Sequence, residues 1–519
     1  MLNLAIPIND YAIIVGPNDN VAVVKKETYV DLEVLLPNGA VVKLLDAVPP
    51  GHRFATRDIP AGEFVTQFGQ PIGTSLGIQS GAQITHDNMS NDVPLIRDLP
   101  DSLHTPPPDY IPAAERRTFM GFRRGDGRVG TRNYVLIVPT SMCASHEAQQ
   151  ISTIAEFTLY NRDKYPNVDG VVAIPHNKGC GCQDGSTIDV MLRTLSNYAD
   201  HPNVGGVILI DLGCEKTNLS QVEKYLLKRE KSFDKPVAKI GIQEVGGTLA
   251  AIQQGLKEVE RMLPEANRAA REECSVSEIV LGVKCGGSDG FSGISANPSL
   301  GRAADLLVRS GGTVLITEVP EFCGAEHLLA CRAKDVDTGR AVYRMVDWYK
   351  EYASKFGAVL AQNPSPGNTM GGLLNITIKS LGAIAKAGTT RVEGVLEYAE
   401  SWKTRGLNLM QGPGYDQEST PGLVAAGATV VVFTTGRGTT IGNAIAPVIK
   451  LASNTPIFER MKNDLDLSAG SVIDGTETID AVGGRVFDHV IEVASGLEAK
   501  AETHKHREFQ FWAEQTVSL

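Results

Sequence analysis

NYVLIVPT (133–140), DGVVAIPH (169–176) and GGVILIDLG (205–213) are the stretches that decide the fold. Each is a short run rich in Val, Ile and Leu, closed by polar or turn-forming residues. That length and composition predict a strand buried on both faces rather than a helix. Three runs of the same kind follow: SEIVLGVK (277–284), GTVLITEV (312–319) and ATVVVFTTG (428–436). Between them lie segments such as SQVEKYLLKRE and GGTLAAIQQGLKEVERML, in which apolar residues recur at helical spacing. Strands alternating with amphipathic helices predict an α/β body with mostly parallel sheets from Arg117 onward.

The texture before Arg117 is different. Residues 1–95 alternate short apolar runs with Gly and Pro, among them NVAVVKK, LEVLLPNG and GEFVTQFGQPIG, and read as a small all-β domain. Six prolines between Pro94 and Pro112, with no helical period, mark residues 96–116 as an extended linker. A charged stretch without strand character, ANRAAREECSVS, divides the α/β body into parts at 117–265 and 276–519.

A chain of 519 residues exceeds one ordinary core, in keeping with this division. Its net charge of −11 argues against a phosphate backbone as partner, while a cleft lined by Arg and Lys remains suited to a small anion. There is no membrane-length apolar run and no secretion-signal pattern near Met1, so a cytoplasmic enzyme is expected, with its eight cysteines reduced. A homo-oligomer is expected as well.

In open α/β sheets ligands bind beyond the carboxyl ends of the strands. Here those ends carry reactive groups: Ser141 and Cys143 after the first run, His176, Cys180 and Cys182 after the second, and Cys214, Glu215 and Lys216 after the third. The fourth leads into Cys285, the fifth into Glu318 and Glu321, and the sixth into Arg437 within GRG. One such Cys is most simply a small buried hydrophobe. Thiolates, an imidazole and carboxylates converging on one rim are instead what a metal site needs, and soft sulfur ligands favour iron or zinc over magnesium. No standard zinc spacing is present.

Three Gly-punctuated stretches are suited to anions: GDGRVGTRNY (125–134) with Arg128 and Arg132, NPSPGNTMGG (363–372) with Ser365 and Asn368, and TTGRGTTIGN (434–443) with Arg437. Neither a dinucleotide fingerprint nor a triphosphate loop is present.

These residues carry a resemblance. GHRFATRDIPAGEFVTQFGQPIG (51–73), GFRRGDGRVGTRN, DLGCEK, KCGGSDGFSGISANP, TEVPE, NPSPGN, GLNLM and FTTGRGT together resemble the altronate and galactarate dehydratase family, whose relatives include sulfolactate sulfo-lyase. The resemblance implies a β-clip (SAF) domain at the N-terminus, a large dehydratase body and activation by ferrous iron or a similar divalent metal. It also implies that His52 and His86, from the β-clip, reach the substrate or metal. TEVPEFCGAE resembles the altronate branch and KSLGAIAKAG the galactarate branch, whereas KGCGCQDG follows neither, so the acid stays open.

The expected reaction eliminates water from a sugar acid to give a 2-keto-3-deoxy acid. By residue type, Arg132 and Arg437 would hold the carboxylate, Asn297, Ser365 and Asn368 the hydroxyls, and His176, Glu318 or Glu321 would take the proton. Cys143, Cys180, Cys214 and Cys285 are the candidate metal ligands, with an iron–sulfur cluster as the alternative to a single ion. A sulfo-lyase and a non-catalytic sugar-acid sensor are the other functional readings.

Overall fold

The structure is a computed structural model that describes residues 5–227 and 235–512. The N-terminal part is all-β, built from three small three-stranded sheets. Its core gathers Val24, Leu32, Val34, Val42, Leu44 and Phe54, the inward residues of short alternating strands. The body is α/β, as the buried runs predicted.

All six runs form strands, but they belong to two sheets. Tyr134–Pro139, Gly170–Ala173 and Val204–Asp211 join Val237–Gly241 in a four-stranded parallel sheet, with Tyr134–Pro139 between the Gly170–Ala173 and Val204–Asp211 strands. Val280–Cys285, Thr313–Ile316 and Val430–Thr435 lie at the centre of a seven-stranded parallel sheet. That sheet also contains Val392–Leu396, Gly406–Met410, Val448–Ala452 and Leu467–Ser468. The single convergent rim expected from the sequence is therefore two rims, one per sheet, because buried runs of like composition do not declare which sheet they join.

Each sheet reverses its winding once. In the larger, the chain leaves Val280–Cys285 to one side for the next three strands and returns to its other side with Val430–Thr435. In the smaller, it passes from Tyr134–Pro139 to one neighbour and then to the other. The crevices beyond these two reversals are where such folds bind ligands.

Several devices tie the parts together. Thr118–Arg123 pairs antiparallel with Glu272–Ser275, joining the starts of the two body parts. The proline-rich segment is fastened along the larger sheet's side of the body: Arg97 pairs with Asp347 at 2.7 Å, Arg391 donates to the Thr105 carbonyl at 3.0 Å, and the Ile111 amide donates to the Arg309 carbonyl at 2.8 Å. At the other end of the chain, the 499–512 stretch returns to the smaller sheet. There Phe511 meets the His176 ring with centroids 4.5 Å apart.

The N-terminal domain meets the body glycine to glycine. Gly51 has φ +83, and a side chain there would lie 2.5 Å from the Gly371 carbonyl; Gly290 and Gly372 are as tight against the Gly51 carbonyl from the body side. Beside this contact the buried Arg53 guanidinium donates to the Gly372 carbonyl at 2.6 Å and to Gln67 at 2.8 Å. Among the described residues no helix is long and apolar enough to cross a membrane.

Candidate active site

The larger sheet's crevice holds an unusual concentration of buried charge. Val280–Cys285 is buried along its whole length, so its last two residues, Lys284 and Cys285, end up inside the protein at the carboxyl rim. On the neighbouring strand the chain turns sharply at Glu318, which adopts φ +78, a left-handed conformation that strains a residue with a side chain. The short 3-10 turn Val319–Phe322 then presents Glu321 to the same space. Lys379 and Lys386 follow one another by seven residues across the Ile376–Ala383 helix and the Ile384–Ala387 turn, a spacing that returns a side chain to the same face. Asp416, first residue of the Asp416–Ala425 helix, closes the group on its more open side.

These groups form one network. Lys284 donates to Glu318 and, at 2.6 Å, to Asp416. Lys386 lies 3.0 Å from Cys285 Sγ, 3.1 Å from Glu321 and 3.6 Å from Glu318. The Cys285 thiol donates to Glu321 at 3.0 Å, and Lys379 reaches the other Glu321 oxygen at 3.2 Å. Three ammonium groups therefore face three carboxylates, in a region where Lys284, Lys386, Glu318 and Glu321 are almost wholly closed to solvent.

The electrostatics sort the two glutamates. Burial and the adjacent charge of Glu321 push the Glu318 carboxyl up to about 7. Burial works the same way on Glu321, but Lys386 and Lys379 outweigh it and hold that carboxyl well below the usual carboxylate range. Burial, with Glu321 beside it, pushes the Cys285 thiol up to about 12, so it is protonated at neutral pH. Burial opposes the charge on Lys284 and Lys386, and the surrounding acids more than compensate, leaving both pKa values raised.

Cys285, Glu318 and Glu321 could hold a metal ion: ligand atoms from the three lie within 4.8 Å of one another, the only such group among the described residues. Their donor types suit iron or zinc. The charge does not. Three ammonium groups already neutralise the carboxylates here, and a dication added among them would be repelled at low dielectric.

The other expected site residues are distributed as follows. Asn297 is buried with both ends of its amide used, accepting from Thr434 at 2.6 Å and donating to the Gly382 carbonyl at 2.9 Å. Ser365 and Asn368 bond each other at the start of the Pro366–Met370 helix, and Asn368 also donates to the Ser288 carbonyl. Arg437 is exposed at the crevice, where its amide donates to the Gly287 carbonyl at 2.8 Å. His52 stands at the seam between the N-terminal domain and the body, 3.3 Å from the Met370 carbonyl, and His86 is exposed on the N-terminal domain.

Two residues are not where a catalytic role would need them. Arg132, expected to bind the substrate carboxylate, is fully buried and clamps the returning chain end. It grips Glu502 through two bonds of 2.7 Å and donates to the carbonyls of Thr131, Val493 and Leu497. His176 belongs to the smaller sheet's rim, apart from the two glutamates. Its Nε2 donates to the Pro139 carbonyl at 3.0 Å, its Nδ1 accepts from the Lys178 amide, and burial lowers its pKa to about 4. Cys143, Cys180 and Cys214 are exposed on that same smaller rim, separate from Cys285.

Three family models match in succession along the chain. The altronate/galactarate dehydratase SAF domain matches residues 10–92, the D-galactarate dehydratase/altronate hydrolase second domain 121–267, and the D-galactarate/altronate dehydratase C-terminal domain 276–517. The chain belongs to the altronate/galactarate dehydratase family. It is 38% identical to galactarate dehydratase (L-threo-forming) of Escherichia coli (strain K12), over 93% of this chain and 92% of that protein. It is 36% identical to altronate dehydratase of Bacillus subtilis (strain 168), over 91% of this chain and 92% of that protein. It is 33% identical to (2R)-sulfolactate sulfo-lyase subunit beta of Chromohalobacter salexigens, over 76% of this chain and 96% of that protein. The similarity to altronate and galactarate dehydratases over most of the chain supports a hydro-lyase.

In this dehydratase-family chain Lys284, Lys379, Lys386 and Asp416 carry no motif that marks them in the sequence. Spacing is a signal for two of them: lysines seven residues apart in the otherwise apolar ITIKSLGAIAKAG have no reason to lie on a buried face unless acids await them. The SAF domain also walls the site. Gln67 and Phe68 share with Ser288, Asn297 and Lys379 the lining of a small pocket of about 10 Å³ at the seam, room for about one water.

Proposed function

We propose that the protein eliminates water from an aldonic or aldaric acid of the altronate or galactarate type, giving a 2-keto-3-deoxy acid. The observation that carries this reading is the buried network of Lys284, Lys379 and Lys386 around Glu318 and Glu321, at the crevice where the larger sheet reverses. Removing the proton beside a carboxylate places a second negative charge on the carboxylate oxygens. Ammonium groups fixed in a water-poor site stabilise that charge without having to reorganise.

In this reading Glu318 takes the α-proton, held in place by Lys284 and by the tight turn at its own backbone. The β-hydroxyl departs as water with a proton from a neighbouring ammonium, Lys379 being the one closest to solvent. The enol left behind tautomerises to the 2-keto acid. Arg437, exposed at the crevice, meets the substrate carboxylate, and His52 approaches from the N-terminal domain. A divalent metal would supply Lewis-acid stabilisation of the same charge. At this centre the lysines already occupy the candidate ligands.

Incubating the purified protein with altronate, galactarate and related acids, with Fe(II) under reducing conditions, tests the reading. A 2-keto-3-deoxy product from at least one acid is expected. Folded protein that forms no keto acid from any of them would refute it. The sulfo-lyase relative supports a second reading, in which sulfite replaces water as the leaving group, and sulfite release from sulfolactate would identify it.

A further inference from the structure

The smaller sheet has its own reversal and its own crevice, and the proposed elimination uses nothing there. Three adjacent strands end at this crevice, and each is followed by a cysteine. Cys143 lies in the Met142–Ala144 turn after Tyr134–Pro139, Cys180 in the loop after Gly170–Ala173, and Cys214 three residues after Val204–Asp211. All three are exposed free thiols. Free cysteine is among the residues most often buried, so three exposed on one rim are not explained by packing.

The loops that carry them are bound to one another. The Met142 amide, next to Cys143, donates to the Lys178 carbonyl at 2.6 Å, two residues before Cys180. Lys216, two residues after Cys214, donates to the Cys182 carbonyl at 3.0 Å. Beneath them the buried Glu215 carboxylate accepts from Thr140 at 2.8 Å, from Ser141 at 3.0 Å, and from the amides of Leu212 and Gly213. His176, bonded to the Pro139 carbonyl, and Thr217, bonded to the Thr140 carbonyl at 2.6 Å, complete the frame. A rigid and fully satisfied support thus holds three thiols in the solvent above it.

The chemistry points to iron and sulfide rather than to a lone ion. Thiolates are the ligands such clusters use. A single ion needs its ligand atoms close together, and among the described residues only Cys285, Glu318 and Glu321 bring three such atoms within 4.8 Å. A cluster instead binds each thiolate to a different iron and so spans a wider triangle. Lys178 and Lys216 lie beside the loops, Lys216 paired with Asp184 at 3.0 Å.

We propose that Cys143, Cys180 and Cys214 hold an iron–sulfur cluster at the carboxyl rim of the four-stranded sheet. Each thiol gives up its proton as its sulfur bonds to iron, the iron and sulfide being supplied from outside. With three protein ligands, one iron of a four-iron cluster keeps an open position. The rim adjoins the larger crevice: the loop bearing Cys180 runs into the Ser186–Ala199 helix, which packs on the helix that begins at Asp416. The assignment is independent of which acid is dehydrated.

The test uses the full-length protein, isolated without oxygen or reconstituted with ferrous iron and sulfide, and reads iron content, acid-labile sulfide and the visible absorption band. The wild-type protein, Cys285→Ser and Cys331→Ser are expected to carry both iron and sulfide. Cys143→Ser, Cys180→Ser and Cys214→Ser are expected to lose both to background while keeping the wild-type circular dichroism spectrum. Iron without sulfide, no iron in the reconstituted wild type, or unchanged loading in the three rim variants would each overturn the proposal. Because none of these readouts is turnover, failure here is distinguishable from failure of the dehydratase reading.

Discussion

Lys386 holds its ammonium 3.0 Å from Cys285 Sγ, and both side chains are closed to solvent. The thiol passes its own proton toward Glu321, so cation, thiol and carboxylate form a closed triangle. Replacing Lys386 with Met removes the cation and leaves Glu321 with Lys379 and the Cys285 thiol. A buried charge deprived of its partner typically costs about 3–5 kcal/mol. Urea unfolding of Lys386→Met should show a loss of that order together with lost turnover, and a wild-type midpoint would contradict the network described here.

Glu318→Gln keeps the size of the side chain and an oxygen for Lys284 but removes the group that takes a proton. Turnover should fall by roughly 10²–10⁴-fold, the usual worth of a general base, with the unfolding midpoint changed far less. Steady-state rates against each accepted acid decide it. An enzyme of undiminished rate would remove Glu318 from the mechanism.

Arg132→Gln should behave in the opposite way. The guanidinium is fully buried and serves Glu502 and three carbonyls, so its loss takes the cation from a buried carboxylate and a donor from each of those acceptors. Stability should drop by about 3–5 kcal/mol, while KM measured at a temperature where the variant is folded stays at the wild-type value. A raised KM with intact stability would return Arg132 to the substrate.

His176 makes stability depend on pH. Its ordinary value of 6.5 falls to about 4 in the folded protein because it is buried and neutral. The unfolded chain therefore binds more protons between those values, so the stabilisation is complete above about 6.5 and is lost as pH falls toward 4. The full shift corresponds to about 3 kcal/mol. Buried His201 shifts in the same direction. Unfolding free energies at a series of pH values should decline through this window, and His176→Gln should flatten the decline; an identical slope in the variant would exclude His176 as its source.

The strand runs were legible because unbroken apolar stretches of that length have few other uses. Of the five further strands in the two parallel sheets, four carry a polar residue inside a short run, Lys239, Glu393, Asn408 and Lys450, and the fifth, Leu467–Ser468, is only two residues long. Lys284 illustrates the same limit at the site. A lysine near the end of SEIVLGVK reads as a residue emerging into solvent, and only the distant Glu318 and Asp416 explain why it stays inside. Glu318, Glu321 and Cys285 stand out in the sequence because they lie at or just beyond strand ends, whereas an arginine in a Gly-containing stretch such as Arg132 serves a chain end as readily as a ligand.

The glycine seam between the SAF domain and the body gains another meaning from the segment that follows it. That segment is pinned at Arg97, Thr105 and Ile111, so only a few residues separate the docked domain from its nearest anchor. A seam that opens does so on a short leash, and reclosure is an intramolecular event at an effective concentration on the order of millimolar or higher. The pinned segment thus keeps the N-terminal domain within a few residues' reach of the crevice, whatever the state of the seam.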